Sequence, residues 1–271
     1  MKGKPFAERK IEEQEYHNLV RGEEVAQERD KYDYYYSNAK YYSVNRQIEE
    51  FWQKWLKQRC PGKTILEYGC GNGTRKTWFS ARNGAHVTGI DISDVSIAKA
   101  TERAKQENVG QFASFIVMDC ESLAFHDKVF DVIVVGGVLH HLDVTRAFPE
   151  LARVLKSSGE IICIDPLAYN PVIQLYRRLT PELRTEWEME HILSREELAL
   201  AKRYFDKFDI RFFHLTTLMA VPFRNLPMFN KLLSCFEAVD KVLLKIPGLK
   251  WWAWQMVFTL SSPKKINAAQ L

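Results

Sequence analysis

A chain of 271 residues can bury one large core, and 46% hydrophobic with 27% charged residues is the balance of a globular protein. The net charge of +4, from 38 basic and 34 acidic residues, is far from the concentrated basic stripe of a nucleic-acid binder, so no such partner is expected. No run approaches the roughly 18 apolar residues of a membrane span, and the charged start lacks a secretory apolar stretch. The five cysteines (Cys60, Cys70, Cys120, Cys163, Cys235) form no CxxC pair, so zinc and a disulfide framework are not expected and the cytoplasm is.

In chain order, residues 1–30 are highly charged and read as helical with a flexible start. "KYDYYYSNAKYY" (31–42) follows, with six tyrosines in twelve residues. Ile48, Phe51, Trp52, Trp55 and Leu56 recur at helical spacing, and Cys60-Pro61-Gly62 ends that helix. The short β-branched runs at 64–68, 86–91, 114–119, 129–135 and 160–165 read as five strands separated by helical segments, the rhythm of a doubly wound α/β fold. Near-continuous apolar runs such as "VIVV" suit strands covered on both faces. After residue 165 the pattern loosens, until "SREE" at 194–197 opens a helix to about 205 with a capping box. A sixth strand is expected at 209–215, a helix at 229–239, and a seventh strand at 251–260 with Trp252, Trp254, Met256, Phe258 and Leu260 on one side.

"ILEYGCGNGT" places Glu67, Gly69, Gly71 and Gly73 at the exit of the first strand, where glycines let the backbone turn sharply and approach a ligand. The second strand ends in Asp91, 22 residues on from Gly69, a carboxylate placed to accept from both hydroxyls of a ribose. The third ends in "MDCES", which brings Asp119 and Cys120 to the same sheet edge. These motifs, followed in order by "FDVIVVGGVLHHL" and "LARVLKSSGEIICID", resemble those of class I S-adenosylmethionine-dependent methyltransferases over residues 60–166. The chain is similar in particular to the ubiquinone/menaquinone-biosynthesis-like small-molecule group. The rival is an NAD-binding Rossmann domain. Against it stand G-x-G-x-G in place of G-x-G-x-x-G and an acidic residue in the first strand.

The resemblance implies a Rossmann-like seven-stranded sheet, mostly parallel with the last strand antiparallel, and S-adenosyl-L-methionine as cofactor with S-adenosyl-L-homocysteine as product. It implies that Gly69, Cys70, Gly71 and Gly73 lie along the methionine part, with Glu67 holding the loop or the amino group. Asp91 would hold the ribose, Ile92 pack on the adenine, Asp119 and Cys120 meet its polar edge, and Gly136 leave room at the fourth strand. One domain over 1–271 is expected: a helical, tyrosine-rich lid (1–45), the cofactor core (46–165), an acceptor cap (166–205) and C-terminal strands and helices (206–271).

Gly136-Gly137-Val138-Leu139 stands where nucleic-acid amino-methylating enzymes of this class carry N/D-P-P-Y/F, which favours a small organic acceptor. His140 is read either as the base that deprotonates it or as packing. His141 is expected to face elsewhere on the turn, and Asp165 to face the cleft as a second base or an orienting group. No metal is expected from this pair, because neighbouring histidines on a helix diverge by about 100°. Tyr35, Tyr36 and Tyr42 either snorkel on the core or close a lid over the ligands. Arg177, with Arg178 and Arg184, is either a solvated helix charge or an anion contact. The apolar C-terminal part reads as core, with peripheral membrane contact or a lipidic pocket as the other option. The expected activity is transfer of a methyl group to an O, N or C nucleophile of a small, lipidic or natural-product molecule. A methyltransferase acting on RNA or protein, and a non-catalytic cofactor-binding protein, are the alternatives.

Overall fold

In the computed structural model, which describes residues 6–265, seven strands form one sheet in the order β3-β2-β1-β4-β5-β7-β6. They are β1 (Thr64–Tyr68), β2 (His86–Asp91), β3 (Ala113–Val117), β4 (Phe130–Gly136), β5 (Leu155–Pro166), β6 (Phe205–Phe213) and β7 (Gln255–Pro263). Neighbours from β3 to β5 pair in parallel, and β7 runs antiparallel to both β5 and β6. This is the expected doubly wound sheet with a reversed last strand. The flexible start expected at the N-terminus lies, for residues 1–5, outside the described residues.

Side chains alternate across a strand, so each continuous apolar run feeds two cores. Val132 and Val134 of β4 face one core, shared with α4 (Arg46–Lys57) and α5 (Arg75–Arg82), where Ile48, Trp52, Trp55, Leu56 and Trp78 are buried. Ile133 and Val135 face the other, shared with α7 (Val144–Val154) and α10 (Arg195–Tyr204) through Phe148, Leu151, Leu198 and Ala201. The tryptophans of α4 are therefore core. The expected capping box is present: Ser194 Oγ accepts from the Glu197 amide at 3.2 Å, and Glu197 Oε2 accepts from the Ser194 amide at 2.7 Å.

Several strand boundaries differ from expectation, and β3 ends at Val117, so that Asp119 lies in the loop beyond it. β5 begins at Leu155, directly after α7, because Leu155 already pairs with Phe130 across an irregularity in the ladder. β6 begins at Phe205, four residues early, paired to the end of β7. β7 begins only at Gln255, because Leu249–Trp252 winds into a 3-10 turn that leaves Trp252 53% exposed. Within β7, Met256, Phe258 and Leu260 share one buried face and Val257 is buried on the opposite face, while Trp254, just before the strand, is buried in a separate cluster with Val44, Ile173 and Leu233. The loose stretch after β5 holds two short helices, α8 (Pro171–Leu179) and α9 (Glu186–Glu190), with Pro181 among the residues between them. N-terminal to α4 lie α1 (Phe6–Val20), α2 (Glu23–Gln27), α3 (Arg29–Tyr35) and the 3-10 stretch Ser37–Val44. No helix among the described residues is long and apolar enough to cross a membrane.

β1 lies between β2 and β4, so the connections leaving β1 and β4 diverge and open a crevice at the carboxyl ends of the strands. The far edge of the sheet is tied down separately. Asp240 of α11 (Phe229–Leu243) accepts from the amides of Leu215, Thr216 and Thr217 just beyond β6. His214, in left-handed backbone (φ 65°), is buried there with Nδ1 3.1 Å from Thr217 Oγ1. Burial lowers its pKa from 6.5 to about 4 against the opposing pull of Asp240. A folded-state pKa below the unfolded one means that the unfolded chain takes up the proton first as pH falls. Stability is therefore lost between pH 6.5 and pH 4, about 2 kcal/mol of it between pH 7 and pH 5. His214→Asn, which tolerates the left-handed backbone, should flatten that slope in urea titrations at the two pH values; equal slopes in both proteins would refute the assignment.

Candidate functional site

A cavity of about 480 Å³ opens in the crevice, walled by Gly69, Cys70, Gly71, Asp91, Ile92, Asp119, Cys120 and Gly136. Gly69 and Gly71 have φ of 72° and 53°, which glycine alone adopts freely. A Cβ on Gly69 would lie 2.5 Å from Val138 Cγ2, so the loops after β1 and β4 touch backbone to side chain. Gly73 does not line the cavity. A Cβ there would meet the Trp78 ring at 2.3 Å, and the bare backbone lets α5 pack close. Glu67 lies behind the cavity: its two oxygens accept from the hydroxyls of Thr74 and Thr77, the capping pair of α5. It thus holds the loop. Burial raises its pKa, opposed by Lys76 and the two threonines.

Asp91 Oδ2 accepts from the Gly71 amide at 2.8 Å, and Oδ1 accepts from the Ser93 amide at 3.0 Å. These bonds aim the carboxylate along the cavity wall. Cys70 and Cys120, in the same wall, have thiol pKa values raised well above the ordinary value, first by burial and then by carboxylates that include Asp91.

Helix α1 roofs this cavity with Lys10, Glu13 and His17, and Arg21 follows just beyond it. Sequence reasoning did not single these residues out, although positions 10, 13, 17 and 21 lie at helical spacing. The anchor is Glu121, whose carboxylate is fully buried. It accepts from Arg9 Nη2 at 2.8 and 2.6 Å and from the Asp143 amide at 2.8 Å, and Lys10 Nζ lies 2.8 Å away. Lys10 also reaches Asp119 at 2.8 Å, and the Arg9 guanidinium lies 4.0 Å over the Trp187 ring. Arg21 Nη1 donates to Ser96 Oγ at 2.8 Å and to Asp91 Oδ1 at 3.3 Å.

A second cavity of about 430 Å³ lies between the N-terminal segment and α8–α9, and it shares Gly136, Gly137 and His141 with the first. Tyr35, Tyr36 and Tyr42 all line it; Tyr36 lines both cavities, whereas Tyr32 lines only the first. Tyr41, Tyr176 and Trp254 add aromatic wall. Arg177 and Arg184 line it too, and they are not solvated: both side chains are 7% exposed and both pair with Glu188, at 3.2 and 3.4 Å. Arg178 is exposed.

His140 lines this second cavity, and its Nδ1 lies 2.6 Å from Asp165 Oδ1. Asp165 is 1% exposed and also accepts from the Leu139 amide, so it is sealed behind His140 and does not face the cleft as expected. The two histidines engage different partners, His140 toward Asp165 and His141 toward Glu13. On the 3-10 turn Leu139–His141 their rings nevertheless lie only 4.2 Å apart and tilted by 37°, closer than the divergence of about 100° expected along a helix. Glu13 is buried. Burial would raise its carboxyl, but the neighbouring His141 and His17 hold it well below the usual range. Burial lowers His17. For His141 the burial effect is outweighed by Glu13 and Glu188, and its pKa is raised.

The first cavity fits S-adenosylmethionine by the groups it presents: a carboxylate at the end of β2, a glycine-rich loop after β1, and a second carboxylate at Asp119 just beyond β3. Residues 66–163 match the family described as methyltransferase domain. The 27-O-demethylrifamycin SV methyltransferase of Amycolatopsis mediterranei is 34% identical over 105 residues, 38% of this chain and 39% of that protein. The 2-methyl-6-phytyl-1,4-hydroquinone methyltransferase of Synechocystis sp. is 35% identical over 106 residues, 39% of this chain and 32% of that protein. The chain thus spans about two-fifths or less of these relatives. The geranyl diphosphate C-methyltransferase of Streptomyces coelicolor A3(2), 14% identical, shares the fold with a TM-score of 0.55 over 80% of this chain and 81% of that one.

Removing the Glu121 carboxylate strands Arg9 as an unpaired buried charge, a change that costs about 3–5 kcal/mol. Glu121→Ala should therefore release α1. Amide exchange across residues 6–20 should rise sharply while β1 and β4 stay protected, and unchanged protection of α1 would show that other contacts hold it.

Proposed function

We propose, for a chain whose core is a class I S-adenosylmethionine-dependent methyltransferase domain related to small-molecule methyltransferases, that it transfers a methyl group to an O, N or C nucleophile of a small molecule. The observation that carries this reading is the common wall of the two cavities: cofactor and acceptor spaces meet at Gly136, Gly137 and His141. When bound, S-adenosylmethionine supplies a methyl group already activated on a sulfonium. The protein is left to align the acceptor and, where needed, to take its proton.

In this reading Asp91 holds the ribose, and Ile92 packs on the adenine with Asp119 and Cys120 at its edge. Gly69, Cys70, Gly71 and Gly136 leave room for the methionine part, while Glu67 and Gly73 set the loop from behind. His140 is the base. Its Nδ1–H donated to Asp165 leaves Nε2 as the nitrogen that accepts a proton, and the buried carboxylate fixes both tautomer and ring. Asp165 is thus a positioning residue, and His141 is engaged with Glu13 rather than with the acceptor. Residues 1–45 act as the lid and 166–205 as the acceptor cap over the 46–165 core, with 206–271 completing the sheet. Tyr35, Tyr36 and Tyr42 pack on the acceptor, and Arg177 with Arg184 receives an anionic or strongly polar group on it. The aromatic wall suits a partly apolar body. The cytoplasm suits five free cysteines.

Asp91→Ala should weaken binding of S-adenosylhomocysteine at least about 100-fold by calorimetry, since a charge-assisted pair of hydrogen bonds is worth about 3 kcal/mol; near wild-type affinity would sink the cofactor assignment. Incubating metabolite extract, RNA and protein with methyl-labelled cofactor should label a small molecule. Label on RNA or protein alone would favour a macromolecular acceptor. With the acceptor identified, His140→Ala should lower kcat by about 100-fold or more with cofactor affinity within twofold. Asp165→Asn should lower kcat with little change in KM.

A further inference from the structure

Glu13, His17 and His141 converge where the lid helix meets the turn after β4. The ligand atoms of the three side chains all lie within 4.8 Å of one another. Glu13 Oε2 is 3.5 Å from His17 Nε2 and 3.3 Å from His141 Nδ1. Those separations are close to the edge of a coordination polyhedron, about 3.0–3.4 Å for ligands about 2.1 Å from a common ion. Glu13 Oε2 and His141 Nδ1 are both buried and, although 3.3 Å apart, neither is in a well-aligned hydrogen bond. Glu13 as a residue is only 4% exposed. A buried carboxylate oxygen flanked by two imidazole nitrogens without a well-aligned hydrogen bond leaves room for an ion among the three groups. The other Glu13 oxygen is already committed, accepting from the Thr185 hydroxyl, which holds the carboxylate so that Oε2 points at the imidazoles.

We propose that Glu13, His17 and His141 hold a divalent transition-metal ion of the zinc type at the junction of the two cavities, with a coordination position open to an oxygen of the acceptor. Two imidazoles and one carboxylate suit Zn2+ and its neighbours, whereas Mg2+ and Ca2+ prefer an all-oxygen set. Three protein ligands leave the fourth position free, the arrangement of a working site rather than a closed structural one. All three side chains line the first cavity, and His17 and His141 also line the second, so the open position gives onto the space assigned to ligands. Because two ligands come from α1 and one from the turn after β4, the ion also staples the lid to the sheet.

The test is read on the full chain without cofactor or acceptor, so its failure is separate from failure of the methyltransferase reading. After chelator treatment and desalting, Zn2+ titrated by calorimetry should bind at one equivalent. Glu13→Gln and His17→Ala should each weaken it about 100-fold or more, while His86→Ala on the surface should leave it unchanged. Co2+ added to the unaltered chain should give the intense visible bands of a four- or five-coordinate nitrogen–oxygen site, a readout that needs no variant to fold. No stoichiometric Zn2+, Zn2+ binding that survives both substitutions, or a Co2+ spectrum no different from the aquo ion would each overturn the site.

Discussion

The buried carboxylate of Glu121 is the constraint on which the roof of the molecule rests. A fully enclosed charge is tolerable only when surrounded by donors, and here Arg9, Lys10 and the Asp143 amide supply them. Two of the three belong to α1. The helix could not leave without stranding Glu121 in the core, and Glu121 could not be buried without the helix. Further roof contacts, among them Arg21 on Ser96 and Gln14 on the Ile92 carbonyl, add to a helix already held in place.

With α1 fixed, the sheet decides where two ligands meet. The crevice beside β1 is divided by the loop after β4, and that loop is thin because Gly136 and Gly137 carry no side chains. A larger residue at either position would thicken the partition. The same loop passes directly into the 3-10 turn that presents His140 to one side and His141 to the other. The partition and the placement of both imidazoles are thus set by six consecutive residues, with His140 braced by Asp165 on β5.

The sheet was legible because alternation within strands and the length of the intervening segments are local properties of the chain. The glycine loop and the acidic strand ends were legible for a related reason, since a position that must lack a Cβ or carry a carboxylate restricts residue type directly. Glu67 was placed less sharply: its carboxylate was assigned to the loop or to a ligand, and only the fold brings Thr74 and Thr77 onto both of its oxygens. The polar face of α1 was not legible, since a stripe of Lys10, Glu13, His17 and Arg21 has the composition of a solvated helix. Only its partners, more than a hundred positions away in the case of Glu121, make it an interior surface. Arg177 and Arg184 illustrate the same limit, as burial against Glu188 cannot be read from a local run of charge. The mutual orientation of His140 and His141 escaped because Cβ divergence along a helix does not set where two imidazole rings come to rest.

The thiols of Cys70 and Cys120 sit in the wall of a cavity suited to an alkylating sulfonium. Sulfur is the softest nucleophile the chain possesses, and such a placement invites self-modification. The thiolate is the reactive form, however, and it is suppressed here: burial and the nearby Asp91 carboxylate keep both protons in place. The carboxylate proposed above to orient the nucleoside would therefore have a second effect, protecting the protein from becoming its own methyl acceptor.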